Sequence, residues 1–432
     1  MKPWSWIPTL YFAQGMPYVI VTSVTVIMFK RLGMSNADIA FYTSGLYFPW
    51  VIKPLWSPLV DILKTKRWWI VVMQIIIGAG LGGIALTLQA PLPIRYCLSF
   101  MWLLAFSSAT HDIAADGFYM LALNKQNQAY FIGIRNTFYR IAIVFGQGIL
   151  VMSAGILEKL YSEHLPATTA IPKAWSVTFY MLTALFVLLY VYHHRILPHP
   201  EQNRGITSPQ HTTLRHVIRE FGHTFSSFFR KKGILPALLF ILFYRFAESQ
   251  LVKITSPFLL DSPATGGLGL STTQVGFIYG TIGVIALTLG GIAGGIVISR
   301  KGLNSCLWGM TAAMNLPNLV YLYLALVRPD NLPLISGCVA IEQLGYGFGF
   351  TSLTYFMMLF CAGKHQTAHY ALCTGFMALG MMGPGMLAGW VEEFIGYQNF
   401  FIWIIICTIP SFWVTRYIRP FTVPQARGGQ QS

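Results

Sequence analysis

The sequence predicts an all-α membrane protein with twelve spanning helices arranged as two halves of six. Of its 432 residues, 55% are hydrophobic and only 10% are charged, whereas a soluble domain usually carries about 25% charged residues. Apolar runs of about 20 residues, which is the length that crosses a bilayer, recur along the chain. The longest polar stretch, at about 196–232, follows the sixth run and separates the two halves.

Each apolar run predicts one helix. The twelve runs are 6–30, 38–62, 68–89, 95–123, 131–155, 175–195, 234–260, 271–299, 305–327, 332–360, 365–390 and 398–418. They divide the chain into an N-terminal six-helix half at 1–195, a cytosolic linker at 196–233, a C-terminal six-helix half at 234–420 and a cytosolic tail at 421–432. This layout resembles the major facilitator superfamily, whose two halves are related by a pseudo-twofold axis along the membrane normal.

The basic residues predict the orientation of the chain in the membrane. The net charge is +15, but most charges lie in short loops between apolar runs, so we expect no nucleic-acid partner. If the N-terminus is cytosolic, 18 Lys and Arg residues lie on the cytosolic side and 6 on the outer side. The outer six are Lys30, Arg31, Arg95, Lys159, Lys173 and Arg328. This bias predicts that both termini are cytosolic.

The linker contains an amphipathic pattern between Thr213 and Arg230. Its apolar positions recur at helical spacing, with arginines between them. They are Leu214, Val217, Ile218, Phe221, Phe225, Phe228 and Phe229. A helix of this kind lies in the interface of an anionic leaflet. We expect it to anchor the linker there, and a docking site for a regulatory partner is the alternative.

Nine Asp, Glu, Lys and Arg residues lie in the interior of the predicted helices, away from the loops. They are Lys53, Asp112, Asp116, Arg135, Arg140, Arg245, Glu248, Lys253 and Glu342. A charge at membrane depth is costly and usually marks a substrate or ion pathway. The alternative is that oppositely charged pairs simply hold helices together. Because positive charges outnumber negative ones in this set, the sequence favours an anionic substrate.

Helical geometry predicts two of the charge pairs. Asp112 and Asp116 are four residues apart and therefore share one helix face. From the helical rise, Asp116 and Arg135 lie about 10 and 6 Å from the inner ends of their helices. Asp112 and Arg140 lie at about 16 and 13 Å. We therefore expect Asp116 near Arg135 and Asp112 near Arg140, either in contact or across a cavity.

These residues receive three predicted roles. Arg and Lys side chains bind carboxylate, sulfate or phosphate groups, and tyrosine rings can stack on sugars. The substrate-binding candidates are Lys53, Arg135, Arg140, Arg245, Lys253, Tyr119 and Tyr139. Carboxylates in a dry site can carry a proton, so the proton-coupling candidates are Asp112, Asp116, Glu248 and Glu342. The short basic turns at 57–67 and 294–304 predict gating by Asp61, Arg67 and Arg300, with topological charge alone as the alternative.

Catalytic and metal chemistry is not predicted. The six cysteines fall singly inside apolar runs, and HQTAH at 365–369 lacks the glutamate of a metalloprotease motif. The chain has neither a Walker sequence nor a GxGxxG nucleotide fingerprint. We therefore expect that the protein is not an enzyme and binds no cofactor. We expect a proton gradient to be its energy source.

Several motifs together resemble the AmpG-type permeases, a branch of the major facilitator superfamily that also includes acetyl-coenzyme A transporters. They are FAQGMPY (12–18), VIKPLWSPLVD (51–61), SSATHDIAADGF (107–118), FYR (138–140), YRFAES (244–249), the helix of Glu342 and LAGWVEE (387–393). Carried over by position, Lys53, Asp112, Asp116, Arg140 and Glu342 match the family pattern. Arg245 and Glu248 keep its charge signs.

The resemblance implies proton-linked uptake of an anhydro-muropeptide across the bacterial inner membrane. Two departures bear on the cargo. The residues from Phe118 to Leu121 lack the charges that the family usually has after its second aspartate, and Arg135 and Lys253 are additional cations. Extra positive charge would suit a more acidic sugar, such as a uronic-acid or sulfated disaccharide.

The sequence thus predicts a monomeric, multi-pass secondary transporter of the bacterial inner membrane. We expect it to import an anionic amino sugar or a small acidic oligosaccharide by proton symport. A transporter of another organic anion, such as a sugar phosphate or an acyl-coenzyme A, is the first alternative. A membrane receptor on a transporter scaffold is the alternative from another class.

Overall fold

The computed structural model describes residues 2–90, 93–199, 214–363 and 365–418, and all regular secondary structure in these ranges is helical. We number the membrane helices 1 to 12 along the chain. In the first half, helix 1 is Pro3–Arg31, and helix 2 is Asn36–Gly45 followed by Phe48–Leu63. Helix 3 is Lys66–Thr87 and helix 4 is Pro93–Ala122. Helix 5 is Lys125–Val144, which continues through Phe145–Leu150 to Val151–Ser162, and helix 6 is Ala167–Ile196.

The second half repeats this plan after a linker helix at Leu214–Phe229. Helix 7 is Ile234–Phe243 followed by Phe246–Leu260, helix 8 is Thr272–Lys301, helix 9 is Leu303–Val327 and helix 10 is Leu332–Phe360. Helices 11 and 12 are the two parts of Gln366–Ile406 on either side of Gly396, and helix 12 continues as Ile409–Ile418. The predicted tail at 421–432 lies outside the described residues.

Short polar side chains start several of these helices. The hydroxyls of Ser35 and Thr65 accept hydrogen bonds from backbone N–H groups three residues later, and so begin helices 2 and 3. The Asn124 side chain caps helix 5 in the same way. Ser271 forms a reciprocal capping box with Gln274 at the start of helix 8. Each cap satisfies a backbone donor that the first helical turn leaves unpaired.

Helices 2 and 7 are interrupted, and a glycine separates helix 11 from helix 12. Helix 2 breaks between Gly45 and Phe48, where Pro49 in the first turn of the following segment has no N–H to donate to the carbonyl four residues earlier. Helix 7 breaks at Arg245, whose backbone is not helical. Gly396 separates helices 11 and 12 with a φ of 76°, a conformation that glycine adopts without strain.

Eight helical runs among the described residues are long and apolar enough, by length and composition, to cross a membrane. Helices 11 and 12 form one such run, Ala368–Ile418, while helices 2, 4 and 10 fall outside the eight. Lys53, Asp112, Asp116 and Glu342 lower the hydropathy of those three helices.

The two halves meet along two helix pairs. Helix 2 packs against helix 11, and helix 5 packs against helix 8. We call the end of the bundle where helix 1 begins and helix 12 finishes the terminal end, and the opposite end the distal end. Close packing near the distal end requires glycine, because a Cβ on Gly280 would lie 1.9 Å from the Gln147 carbonyl oxygen, and one on Gly389 would lie 2.0 Å from that of Asn36.

Candidate functional site

A cavity of about 470 Å³ lies between the two halves. Its wall includes Tyr18, Trp50 and Lys53 from the first half and Arg245 from the second. It extends to Lys66, the first residue of helix 3, and so reaches the terminal end of the bundle. Basic side chains from both halves therefore line the same cavity.

Lys53 is paired with Asp112 at the cavity wall. The Lys53 Nζ atom lies 3.5 Å from Asp112 Oδ2, and the Trp50 indole N–H donates to the same oxygen at 3.1 Å. Asp112 is only 8% exposed, and its other oxygen, Oδ1, is buried without a hydrogen-bond partner. One carboxylate oxygen thus holds the lysine in place while the other is available to a proton or a water molecule.

The predicted contact between Asp112 and Arg140 is wrong. Arg140 instead donates to the Thr288 hydroxyl of helix 8 at 3.2 Å. The two residues have similar depths, but Arg140 lies on the face of helix 5 that is turned toward the other half. Helix 2 supplies the cation for Asp112 instead.

The predicted pair of Asp116 and Arg135 is confirmed. Arg135 Nη2 lies 3.1 Å from Asp116 Oδ1. The guanidinium also lies over the rings of Tyr11 and Tyr119, at 4.5 and 5.1 Å from their centroids. The Tyr119 hydroxyl donates to the backbone carbonyl of Gln128. Asp116 faces the cavity, but its charge is balanced by Arg135.

Tyr139 packs behind the cavity wall. Its ring centroid lies 6.4 Å from that of Tyr18, which lines the cavity. A Cβ on Gly15 of helix 1 would lie 2.9 Å from the Tyr139 backbone oxygen, so helices 1 and 5 are in close contact here. Tyr139 therefore supports Tyr18 rather than forming part of the wall itself.

Arg245 lies at the break in helix 7. It donates to the Tyr346 hydroxyl, and its guanidinium lies 4.7 Å from the Phe350 ring centroid. The Arg245 Nε atom is buried without a hydrogen-bond partner. Aromatic rings thus hold the guanidinium at the cavity while part of its donor capacity is unused.

Glu248 and Glu342 form a buried acidic pair in the second half. They are 4% and 1% exposed, and each has one carboxylate oxygen without a hydrogen-bond partner. The other oxygen of Glu342 accepts from Tyr321 at 3.1 Å and from Gln343 at 2.9 Å. The two acids are close enough for their charges to repel. Such a pair is suited to holding a proton.

Lys253 lies on the distal side of the cavity, in the contact between the halves. It is 1% exposed, donates to the Thr43 hydroxyl of helix 2 at 3.1 Å, and lies 4.9 Å from the centroid of the Tyr47 ring. Both partners belong to the first half, whereas Lys253 belongs to the second. In this conformation the side chain joins the halves and does not border the cavity.

The distal end is closed by a polar network across the halves. Lys30 forms an ion pair with Asp261 at 2.7 Å and donates to the Asn36 side chain at 2.8 Å. Asn36 in turn donates to Glu392 at 2.7 Å and to the Tyr397 hydroxyl at 2.8 Å. These contacts link helices 1 and 2 to helices 7, 11 and 12. The cavity is therefore closed toward the distal end.

A second distal contact is centred on Glu158 near the end of helix 5. Glu158 is 5% exposed and pairs with Arg31 at 3.0 Å. It also accepts from the Trp175 indole at 2.8 Å and from the Thr272 hydroxyl of helix 8 at 2.7 Å. The bond to Thr272 crosses the halves, so Glu158 closes the side of the bundle opposite Lys30 and Asn36.

The family model of the Major Facilitator Superfamily matches residues 9–384. The chain belongs to the major facilitator superfamily. It is 25% identical over 420 residues to a protein of Rickettsia conorii named putative transporter AmpG 4, covering 95% of this chain and 94% of that one. It is 24% identical over 411 residues to the anhydromuropeptide permease of Escherichia coli K12, covering 93% of this chain and 77% of the permease. The predicted resemblance to AmpG-type permeases is confirmed.

Solved structures of superfamily members share the fold. A bacterial homologue of the human lysosomal transporter Spinster, in an inward-facing and unoccupied conformation, superposes with a TM-score of 0.68 at 14% identity and covers 99% of this chain and 100% of its own. A D-xylose–proton symporter superposes with a TM-score of 0.69 at 12% identity and 99% coverage of both chains. The solved structures show the fold alone, whereas family membership makes the chain a multi-pass inner-membrane secondary transporter of a small molecule and not an enzyme.

The predicted gating residues of this major facilitator protein lie apart from the contact between the halves. Arg67 donates to the backbone carbonyls of His194 and Leu197, and so ties helix 3 to helix 6 within one half. Arg300 is exposed at the terminal end of helix 8. Asp61 belongs to helix 2, but its side chain lies outside the described residues. Gating by these residues stays a prediction for a conformation that is closed at the terminal end.

Sequence reasoning missed the distal network of this transporter. On sequence alone, Lys30 and Arg31 are outer loop charges that set the orientation, and Glu158 has no predicted role. The motif LAGWVEE contains two acidic residues of this network. Glu392 accepts a hydrogen bond from the Asn36 side chain, and Glu393 accepts one from the Ala37 backbone N–H. The partners are more than 350 residues apart in the chain, so their contact required the three-dimensional structure.

Proposed function

We propose that this transporter imports an anionic amino sugar or a small acidic oligosaccharide together with protons. The observation that carries the proposal is the pair of cations, Lys53 and Arg245, which border one cavity from opposite halves. The acidic side chain on the described wall, Asp116, is balanced by Arg135. Basic side chains outnumber acidic ones on the described wall, and Arg245 has a buried donor without a hydrogen-bond partner, while Lys53 is shared with Asp112 behind the wall.

The remaining wall suits a sugar. Tyr18 and Trp50 border the cavity beside Lys53, and their rings are perpendicular with centroids 5.3 Å apart. Aromatic faces stack on the apolar faces of sugar rings, while the cations bind a carboxylate, sulfate or phosphate. The name of the Escherichia coli relative, an anhydromuropeptide permease, supports a cargo that combines amino sugars with an acid.

Proton coupling is assigned to Glu248 and Glu342. Glu248 interacts electrostatically with Arg245, which borders the cavity. An anion that binds Arg245 leaves Glu248 without its neutralising charge, and a proton on Glu248 compensates for that loss. Anion and proton therefore favour each other's binding, which is the thermodynamic requirement of symport.

The orientation follows from the bias of basic residues. Placing both termini in the cytosol makes the terminal end the cytosolic side, so the cavity opens inward and the polar network closes the outer side. The linker helix, Leu214–Phe229, then lies at the cytosolic surface. Alternating access requires the outer network to break when cargo is taken up.

The test is uptake into proteoliposomes that contain the purified protein. The panel comprises acidic amino-sugar disaccharides, their neutral analogues, a sugar phosphate and an acyl-coenzyme A, each with and without an inward proton gradient. We expect uptake of the acidic disaccharides, stimulated by the gradient, and a loss of at least about tenfold in Lys53→Gln and in Arg245→Gln. Arg95→Gln, an exposed arginine of helix 4, is the matched control and should transport normally.

Three outcomes would contradict the proposal. Preferred uptake of the sugar phosphate or the acyl-coenzyme A would show that the cargo is not an acidic amino sugar. Equal uptake with and without the gradient would show that transport is not coupled to protons. Specific binding of a ligand without any uptake would favour a receptor on a transporter scaffold.

A further inference from the structure

A second cavity of about 620 Å³ lies between helices 5 and 8, on the outside of the bundle. Its apolar wall includes Ile141, Ile149, Ile285 and Leu289, whose side chains are between 44% and 56% exposed. Exposed apolar side chains on membrane-spanning helices suit the hydrocarbon of a bilayer. We call this cavity the lateral crevice.

Arg140 borders the lateral crevice together with Asn136 and Thr137. Its guanidinium donates to the Thr288 hydroxyl and forms no ion pair with an acidic side chain of the described residues. An arginine has five donors, and a charge at membrane depth costs several kcal/mol unless it is compensated. The crevice therefore combines apolar walls with a cation that lacks an anionic partner.

The lining is arranged along the helix axis. Asn136, Thr137 and Arg140 lie nearer the terminal end of helix 5 than Ile141 and Ile149 do. Side chains of a helix incline toward its N-terminus, so Arg140 is directed toward the terminal-side leaflet. A molecule that matches the crevice has an anionic group facing that leaflet and an apolar chain reaching toward the middle of the bilayer.

We propose that the lateral crevice binds an anionic phospholipid of the terminal-side leaflet. Because Arg140 lies about 13 Å from the inner end of its predicted helix, the phosphate is drawn below the headgroup level into the crevice, where Arg140, Asn136 and Thr137 bind it. An acyl chain lies along Ile141 and Leu289. Charge complementarity selects the anionic lipid, because a zwitterionic headgroup brings its own cation to the guanidinium. The proposal concerns a site outside the transport cavity and does not depend on the cargo.

The site also has a conformational consequence. Helices 5 and 8 contact each other mainly in their distal parts, where Gly148 and Gly280 bring their backbones together. Nearer the terminal end the lateral crevice lies between them, and the hydrogen bond from Arg140 to Thr288 spans it. A lipid seated in the crevice therefore stabilises the arrangement in which the terminal end is open. The stabilisation equals the difference between the free energies of lipid binding to the open and to the closed arrangement.

Native mass spectrometry of the full-length protein tests the site. The protein is released from nanodiscs that contain equal amounts of phosphatidylglycerol and phosphatidylcholine. Because hydrogen bonds to charged groups contribute about 1.5–3 kcal/mol, we expect phosphatidylglycerol to be retained about tenfold more than phosphatidylcholine. Arg140→Gln should make the two lipids equal, and Leu289→Trp should reduce retention of both by filling the crevice.

Matched variants separate the site from general surface charge. Arg416→Gln removes an exposed arginine at the terminal end of helix 12, and we expect it to keep the preference for phosphatidylglycerol. Arg140→Lys keeps the charge and should retain part of the preference for phosphatidylglycerol over phosphatidylcholine. This variant therefore tests the site if Arg140→Gln is poorly folded.

Three results would overturn the proposal. They are an unchanged preference in Arg140→Gln, an equal loss in Arg416→Gln, and displacement of the lipid by free glycerol phosphate, which would indicate a site for soluble anions.

Discussion

Replacing Gly280 by alanine tests how the distal end closes. A Cβ at this position would lie 1.9 Å from the Gln147 carbonyl oxygen, whereas real Cβ contacts essentially never fall below 3.0 Å. Helices 5 and 8 would have to separate by about 1 Å, and the neighbouring atoms are backbone, which cannot rotate away. Overpacking of this kind costs about 1–3 kcal/mol. The equilibrium between distally closed and distally open conformations should then shift by about 5- to 150-fold toward the open one.

The matched control is Gly295→Ala in the same helix. No atom lies within 4 Å of the Cβ that this change adds, so only the gain in helix propensity remains, which is about 1 kcal/mol and favourable. The two variants have the same chemical change and differ in what the new methyl group meets. Any difference between them therefore reports on the contact between the halves.

Reaction of an introduced cysteine with a thiol reagent is the assay. Thr43→Cys places the thiol behind the distal network, next to Lys253, and the six native cysteines are all buried. We expect Gly280→Ala to increase the labelling rate and to lower cargo uptake, and Gly295→Ala to change neither. Unchanged labelling in Gly280→Ala would show that the glycine contact does not control distal closure and would refute the reasoning.

Three further predictions concern the charged side chains. Lys53→Gln should lower thermal stability, because it leaves Asp112 buried without its cation, and adding Asp112→Asn should recover part of the loss; additive effects in this double-mutant cycle would argue against the pair. Glu342→Gln should abolish stimulation of uptake by a proton gradient while cargo binding persists, and normal stimulation would exclude Glu342 as a proton carrier. Lys30→Asp and Asp261→Lys should each increase labelling of the cysteine introduced at Thr43, and the double charge swap should reverse much of that increase. No reversal in the double variant would show that the ion pair has no part in distal closure.

Helix positions were largely predictable from the sequence. Hydropathy located helix 10 at 332–360, and the structure begins and ends it at the same residues. Helix 5 was predicted at 131–155 and extends from Lys125 to Ser162, because backbone hydrogen bonding continues into polar ends that hydropathy does not detect. The breaks in helices 2 and 7 were not predicted, and the one at Arg245 positions a residue of the cavity wall.

The charge pairs show what depth can and cannot predict. Asp116 and Arg135 lie on consecutive helices joined by a short turn, so similar depth was enough to bring them together. Asp112 and Arg140 also have similar depths, but the rotation of helix 5 about its axis directs Arg140 to helix 8. Hydropathy gives no information on that rotation when a helix has polar residues on two faces.

The distal network was beyond sequence reasoning for a different reason. Its members come from helices 1, 2, 7, 11 and 12, and pairing across such distances depends on how the halves dock. Single residues such as Lys30 and Glu392 have several polar partners available in the sequence. Only the docked structure selects Asp261 for the first and Asn36 for the second.

The central claim is that Lys53 and Arg245 make the cavity selective for an anion that moves with protons. The most direct measurement compares proteoliposome uptake of one acidic amino-sugar disaccharide with uptake of its carboxamide analogue, under the same inward proton gradient. The account predicts that the acid is taken up at least about tenfold faster, that the difference disappears in the double variant Lys53→Gln and Arg245→Gln, and that collapsing the gradient slows the acid. Equal uptake of the acid and the amide by the unmodified transporter would contradict it.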